Sequence, residues 1–92
     1  MSKSLHSVEY AALRQKLLAM RNAANLSQRE LGRRLAVPAS WVSKVETGER
    51  HMDLVEFSWF CSACGFDPAK AAREFLESTT PPFRQPKKGS GR

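Results

Sequence analysis

Cys61 and Cys64 form a C-x-x-C pair, the pattern in this chain that most directly suggests chemistry. Such a pair can hold zinc or exchange disulfides, but a tetrahedral zinc site needs two further ligands. The two histidines, His6 and His51, stand at no spacing that would supply them. Because a free cysteine also behaves as a small apolar residue, we predict that both thiols pack in the interior and that the chain binds no metal or other cofactor.

The remaining polar residues contain no recognisable catalytic constellation. Serines, histidines and acidic residues are present, but none lies in a nucleophile or phosphate-loop motif. A chain of 92 residues also has little room for an enclosed pocket. We therefore predict that the protein is not an enzyme.

Basic residues outnumber acidic ones by 15 to 9, and the resulting net charge of +6 is unevenly distributed. Segments 1–27, 28–52 and 79–92 carry +3, +2 and +4, whereas segment 53–78 carries −3. Positive charge beside a recognition element favours the binding of nucleic-acid phosphates. The sequence contains no apolar run long enough for a membrane span and no signal-peptide pattern, so we expect a cytoplasmic protein with no membrane partner.

Segment 28–45 has the residue spacing of two short helices that cross at a turn. In the first helix Leu31 and Leu35 lie four residues apart, and in the second helix Val42 and Val45 lie three apart. Val37 lies in the turn between the helices, where we expect it to be buried. Gly32 costs about 1 kcal/mol relative to alanine inside a helix, so its presence predicts that the second helix approaches closely there. This is helix-turn-helix spacing, and the second helix would fit the major groove of B-DNA.

The ends of the helices are marked by residues with known capping preferences. Ser27 followed by Glu30 predicts a capping box at the start of helix 2, and Asp53 and Asp67 predict the starts of helices 4 and 5. Pro38 suits the first turn of helix 3. Three residues that tolerate a left-handed backbone predict the ends of helices 1, 3 and 4: Asn25, Gly48 and Gly65.

The apolar residues of helices 1, 4 and 5 each fall on one side of the helix. From Val8 onward, helix 1 is expected to turn three residues inward: Leu13, Leu17 and Met20. The inward residues of helix 4 are Leu54, Phe57, Phe60, Cys61 and Cys64. Those of helix 5 are Ala71, Ala72, Phe75 and Leu76. With no strand pattern and no internal repeat, the predicted fold is an all-α, compact bundle of five helices.

One small domain accounts for most of the chain. We predict a flexible N-terminal arm over residues 1–7, a helix-turn-helix domain over 8–78 and a disordered basic tail over 79–92. The tail carries four basic residues, which either follow DNA phosphates or serve solubility: Arg84, Lys87, Lys88 and Arg92.

Residues 9–78 resemble the DNA-binding domain of the lambdoid-phage repressor and Cro type, the XRE family of helix-turn-helix regulators. The resemblance is carried by three strings: LSQRELGRRLAV, SWVSKVETGER and DLVEFSWFCSACGFDP. It implies that helix 3 enters the major groove of double-stranded DNA. Helix 3 residues expected to face base edges are Ala39, Ser40, Ser43 and Lys44. Residues expected at the DNA backbone are Gln28, Trp41, Thr47 and Arg50.

Three further residues are interpreted through the same resemblance. Arg21 and Glu46 match a family pair that forms a salt bridge between helix 1 and the end of helix 3. Ala36 replaces the glycine usual at the turn, so the turn is expected to adopt a conformation that tolerates a Cβ. The loop after helix 3 is brief, so phosphate contacts from it are not expected beyond Arg50.

The sequence therefore predicts a sequence-specific DNA-binding transcriptional regulator that acts as a repressor and binds a palindromic operator as a homodimer, associated with the nucleoid. Two alternatives stay open. An antitoxin that regulates its own operon would copurify with a toxin and neutralise it. A protein-interaction adaptor would show only weak, strongly salt-dependent DNA binding.

A candidate dimer surface is visible on helix 4. Val55, Trp59 and Ser62 follow each other at helical spacing and lie off the predicted buried face. Val55 and Trp59 are the predicted anchors of a two-fold interface. The alternative is that Trp59 covers the packing edge of helix 5.

Overall fold

The computed structural model describes residues 7–79. Within that range the backbone forms helices and no strand, which confirms the predicted all-α class. The five helices are α1 Val8–Ala23, α2 Gln28–Leu35, α3 Ala39–Thr47, α4 Leu54–Ala63 and α5 Pro68–Glu77. None of them is long and apolar enough to cross a membrane. The predicted arm up to residue 6 and the predicted tail from residue 80, with its four basic side chains, lie outside the described residues.

The helix starts follow local capping chemistry. Ser27 accepts a hydrogen bond from the Glu30 amide while Glu30 accepts one from the Ser27 amide, so the predicted capping box is present. Asp53 and Glu56 form a second box at the start of α4, which the sequence prediction missed. Pro38 is the N-cap of α3 and lies just outside the helix, not in its first turn as predicted, because its backbone is extended (ψ 155°).

Eleven buried apolar residues from all five helices, the α1–α2 loop and the C-cap of α4 form one core. Six of them are fully buried: Leu17, Leu31, Val42, Val45, Phe60 and Cys61. Val37 packs against this core but is only partly buried, so the turn does not enclose it as predicted. The core thus lies between the α2–α3 pair and α1, α4 and α5.

Two leucines that were predicted to face inward are exposed. Leu54 is 77% exposed and Leu76 is 64% exposed. Leu54 is the first residue of α4 and Leu76 lies in the last turn of α5, so no element among residues 7–79 extends far enough to cover them. Together they border an apolar groove whose floor includes Leu13, Met52 and Phe57.

The α2–α3 turn depends on a close backbone approach at Gly32. A Cβ built there would lie 2.7 Å from the Val37 carbonyl oxygen and 3.3 Å from the Ala39 amide nitrogen. Distances this short exclude a side chain unless the turn moves away. The predicted close approach is therefore confirmed, and the atoms involved belong to the turn and to the first residue of α3.

Ala36 ends α2 in the left-handed conformation, with φ 60° and ψ 41°. The turn therefore does not adopt the Cβ-tolerant conformation that we expected. The left-handed backbone at Ala36 reverses the chain sharply, and the Val37 amide thereby donates to the Gly32 carbonyl at 2.9 Å. A left-handed residue with a Cβ is disfavoured by about 1 to 2 kcal/mol. The packing of α3 on α2 offsets this strain.

We predict that Ala36→Gly raises the free energy of unfolding by about 1 kcal/mol, since glycine adopts positive φ without the Cβ clash. Ala24→Gly is the matched control, because Ala24 ends α1 with an ordinary right-handed backbone (φ −83°) and should gain nothing. Chemical denaturation of both variants measures the difference. A less stable Ala36→Gly protein would contradict the strain at this turn.

Candidate nucleic-acid interface

The exposed face of α3 is defined by the residues that anchor its opposite side. Val42 and Val45 are fully buried. Since successive residues are about 100° apart around a helix, four residues of the first two turns share the face turned away from the core. These are the predicted base-facing residues Ala39, Ser40, Ser43 and Lys44, of which Ser40 and Lys44 are the most exposed. Thr47 follows on the same face, and its hydroxyl donates to the Lys44 carbonyl at 3.3 Å.

Glu46 lies on one flank of that face and pairs with Arg21 of α1. The guanidinium donates through Nε to Oε2 at 2.7 Å and through Nη2 to Oε1 at 3.0 Å. The Arg21 and Glu46 side chains are 12% and 5% exposed, so the pair is largely shielded from water. Arg21 also donates to the Leu26 carbonyl at 2.9 Å, which ties the α1–α2 loop to the same group. The hydrogen bond with Glu46 raises the pKa of Arg21 above its ordinary value, so this side chain stays charged.

Gln28 extends this arrangement to α2. Its Nε2 donates to Glu46 Oε1 at 3.0 Å, so the first residue of α2 is fastened to the end of α3. An amide nitrogen carries two N–H groups, and the bond to Glu46 uses one of them. Gln28 is half-buried and thus stands at the edge of the α3 face with a fixed side-chain orientation.

Trp41 lies on the opposite flank of α3 and contacts Arg50. The Arg50 guanidinium carbon lies 5.0 Å from the centre of the indole ring, within the range of a cation–π contact. Arg50 also pairs with Glu56 of α4, through Nη1 to Oε1 and Nη2 to Oε2, both at 3.2 Å. Arg50, one of the four residues predicted to contact the DNA backbone, is therefore ion-paired within the domain.

Glu56 is the residue of this flank that sequence reasoning missed. A signal was available, because Glu56 stands three residues after Asp53 and completes a capping box. Its contact with Arg50, six residues away, depends on the path of the connecting loop. The Arg50 hydrogen bonds, followed by the Asp53 amide, hold the pKa of Glu56 below its ordinary value, so the carboxylate is ionised at neutral pH.

The two cysteines lie in the core, as predicted, and both are free thiols. Burial raises the pKa of Cys61 to about 11, and burial also raises the pKa of Cys64. Such thiols are poor nucleophiles and poor metal ligands at neutral pH. Across residues 7–79 there is no group of three or more His, Cys, Asp or Glu side chains arranged to hold a metal ion.

Trp59 is 58% exposed on α4, and Val55 is also exposed. Trp59 borders a surface cleft together with Arg34 and Leu35 of α2 and with Ser62 and Ala63 of its own helix. Arg34 donates to the Ala63 carbonyl at 2.7 Å across this junction. The residues around the cleft come from α2 and α4, so the tryptophan lies beside α2.

A protruding helix with a polar face, held at a fixed angle to α2, defines the helix-turn-helix class of DNA-binding domain. Comparison with known proteins identifies the family. A family model described as a helix-turn-helix domain matches residues 12–73. An XRE-family like protein from Pseudomonas syringae pv. tomato str. DC3000 is 41% identical, with a TM-score of 0.77, and the match covers 85% of this chain and 95% of that chain. Comparison with curated proteins found no match.

The chain belongs to the XRE family of helix-turn-helix proteins and is a DNA-binding regulator. This confirms the family and the fold inferred from the sequence motifs. Non-enzymatic DNA binding is typical of that fold.

We predict that Glu46→Ala lowers the free energy of unfolding by about 3 to 5 kcal/mol, because it leaves the shielded Arg21 charge without its partner. Glu74→Ala is the matched control. Glu74 pairs with Lys16 at 3.5 Å but is 54% exposed, so its loss should cost less than about 1 kcal/mol. Urea denaturation of the two variants tests this, and equal losses would contradict a structural role for the Arg21–Glu46 pair.

Proposed function

We propose that the protein is a sequence-specific transcriptional repressor that binds a palindromic DNA operator as a homodimer, with α3 in the major groove. One observation carries this proposal. The outward face of α3 presents the proposed base-facing set Ala39, Ser40, Ser43 and Lys44, and side chains that can reach phosphates stand on both of its flanks. The phosphate backbones border the major groove on either side of an inserted helix, so both flanks would be used together.

The proposed backbone contacts divide between the two flanks of α3. On one side the second amide N–H of Gln28 is directed by the bond to Glu46, and a phosphate oxygen would accept from it. On the other side Trp41 would line the backbone, and Arg50, stacked on its ring but ion-paired with Glu56, would add a phosphate contact only when that pair opens. Thr47, in the last turn of α3, is the remaining proposed contact. Such contacts set the register of the protein on DNA without reading sequence.

Sequence discrimination would come mainly from Lys44. Its long side chain can donate to guanine O6 and N7, whereas Ser40 and Ser43 accept and donate without strong preference. Ala39 would contact a thymine methyl. Because three of these four side chains are short, we expect DNA shape to carry part of the specificity.

Repression follows when the operator overlaps a promoter, because the bound dimer then occupies the site that the polymerase needs. The expected location of such a protein is the nucleoid.

Selection of bound fragments from random DNA, followed by sequencing, tests this function. A palindromic consensus with half-sites about one helical turn apart supports a repressor-type homodimer. Recovery of no preferred sequence would overturn the proposal in favour of non-specific binding or a protein-interaction role.

We predict that Lys44→Ala weakens binding to the selected operator by about 1 to 3 kcal/mol and relaxes the preference at one base position. Gln28→Ala is the matched control from the backbone set. It should weaken binding to all sequences to a similar extent and leave the preferred sequence unchanged. Repeating the selection with both variants separates the two roles, and an unchanged consensus for Lys44→Ala would remove Lys44 from base recognition.

For the homodimer, we propose that Trp59 and Val55 anchor the two-fold interface. Trp59 is a large exposed aromatic residue beside Leu35, and such anchors contribute most of the energy at many interfaces. The nearby Arg34 guanidinium offers a polar rim.

We predict that Trp59→Glu yields folded monomers in analytical ultracentrifugation and a large loss of affinity for a palindromic operator, with little change on a single half-site. Leu76→Glu is the matched control, because Leu76 is exposed to a similar degree on the separate apolar groove. If Trp59→Glu remains dimeric and Leu76→Glu is monomeric, the dimer forms through the groove and not through Trp59.

A further inference from the structure

Arg50 stands among three partners that together hold its guanidinium in place. Its face lies 5.0 Å from the centre of the Trp41 ring, and Nη1 donates to the His51 carbonyl at 2.8 Å. Nη1 and Nη2 both donate to the Glu56 carboxylate at 3.2 Å. The side chain is nevertheless 39% exposed, so it is open to solvent on the flank of α3.

The Glu56 carboxylate is itself anchored to the backbone. Its Oε1 accepts from the Asp53 amide at 3.0 Å, as the second half of the α4 capping box. Glu56 therefore cannot follow Arg50 toward another partner without giving up that cap. A guanidinium that turned its Nη1–Nη2 edge toward a phosphate would have to leave a carboxylate that stays behind.

A carboxylate and a phosphate compete for the same donors of a guanidinium. Of the five N–H groups of Arg50, the Glu56 carboxylate takes two and the His51 carbonyl a third, so the Nη1–Nη2 edge is occupied and the ion pair offsets the charge that would attract a phosphate. The negative charge of Glu56 would also repel a phosphate that approached Arg50 directly.

We infer that Glu56 restrains DNA affinity by holding Arg50 in an internal ion pair, so that Arg50 adds a phosphate contact only when this pair opens. The inference rests on the proposed DNA-binding role of α3. The Arg50–Glu56 pair lowers sequence-independent affinity and leaves the base-facing residues of α3 to distinguish operator from other DNA. Glu56 thus lowers the affinity for operator and for other DNA alike, without touching DNA.

Glu56→Gln tests the inference, because glutamine keeps an acceptor for the Asp53 amide and removes the charge. Affinity for the selected operator and for an unrelated duplex is measured by fluorescence anisotropy over about 50 to 200 mM salt. We expect binding to both duplexes to tighten by at least about three-fold at the low-salt end. One extra phosphate contact steepens the salt dependence by about 0.9 in slope, so the gain should largely vanish at the high-salt end.

Glu49→Gln is the matched control. It removes one exposed carboxylate from the same loop, where Glu49 accepts from the Thr47 hydroxyl at 3.3 Å and does not pair with Arg50. We expect a smaller gain with an unchanged salt slope.

Arg50→Gln separates the arginine from general charge effects. It should change affinity by less than about two-fold in the wild-type background and remove the whole gain in the Glu56→Gln background.

Three results would overturn the inference: no gain in Glu56→Gln, a gain equal to that of Glu49→Gln, or a loss of about one phosphate contact when Arg50→Gln is made in the wild-type protein. Thermal melting of each variant verifies folding. Glu56→Ala keeps the bond from the residue-56 amide to the Asp53 carboxylate but loses the acceptor for the Asp53 amide, and it replaces Glu56→Gln if that protein does not fold. Wild-type protein that binds no DNA would reject the proposed function as well. Wild-type binding without the expected gain would reject only the role of Glu56.

Discussion

The contact on which the DNA-facing surface depends most is the shielded ion pair between Arg21 and Glu46. It joins α1 to the end of α3, and the bonds from Arg21 to Leu26 and from Gln28 to Glu46 bring the α1–α2 loop and the start of α2 to the same point. The Glu46 carboxylate thus connects three helices, α1, α2 and α3. A shielded pair contributes little net stability compared with apolar packing, but removal of either partner is costly, so the pair keeps α3 in one register.

The α2–α3 turn adds a steric constraint to this electrostatic one. Gly32 lets the backbone of the turn pass where a Cβ would collide with the Val37 carbonyl, and Ala36 accepts a strained left-handed backbone to make the reversal. Both features help to set the angle at which α3 packs against α2. Strain persists in a fold only where the surrounding packing over-determines the conformation, and here that packing is the buried set contributed by α2 and α3.

The two flanks of α3 use charge in the same way. Glu46 is bonded to Arg21 and Gln28 on one side, and Glu56 is bonded to Arg50 on the other. Each carboxylate orients the side chains that donate to it, and the N–H groups used in those bonds are not available to another acceptor. These acidic residues are already counted in the net charge of +6, and beside the α3 face they reduce the local attraction for nucleic-acid phosphates. This reduction weakens binding to all DNA alike, so discrimination between operator and other DNA is left to the proposed base-facing residues of α3.

The sequence by itself determined the features that depend on neighbouring residues. The capping box at Ser27, the positive φ at Asn25 and Gly48, and the inward set of α1 and α3 all follow from local preference or helical periodicity. Only the tertiary structure decided what depends on distant elements. Helical periodicity assigned Leu54 to the buried side, but whether another helix extends far enough to cover it is a matter of packing. The left-handed Ala36 arises from how α3 packs on α2, and the Arg50–Glu56 pair arises from the path of the loop between α3 and α4, because contact between side chains is set by their positions in space.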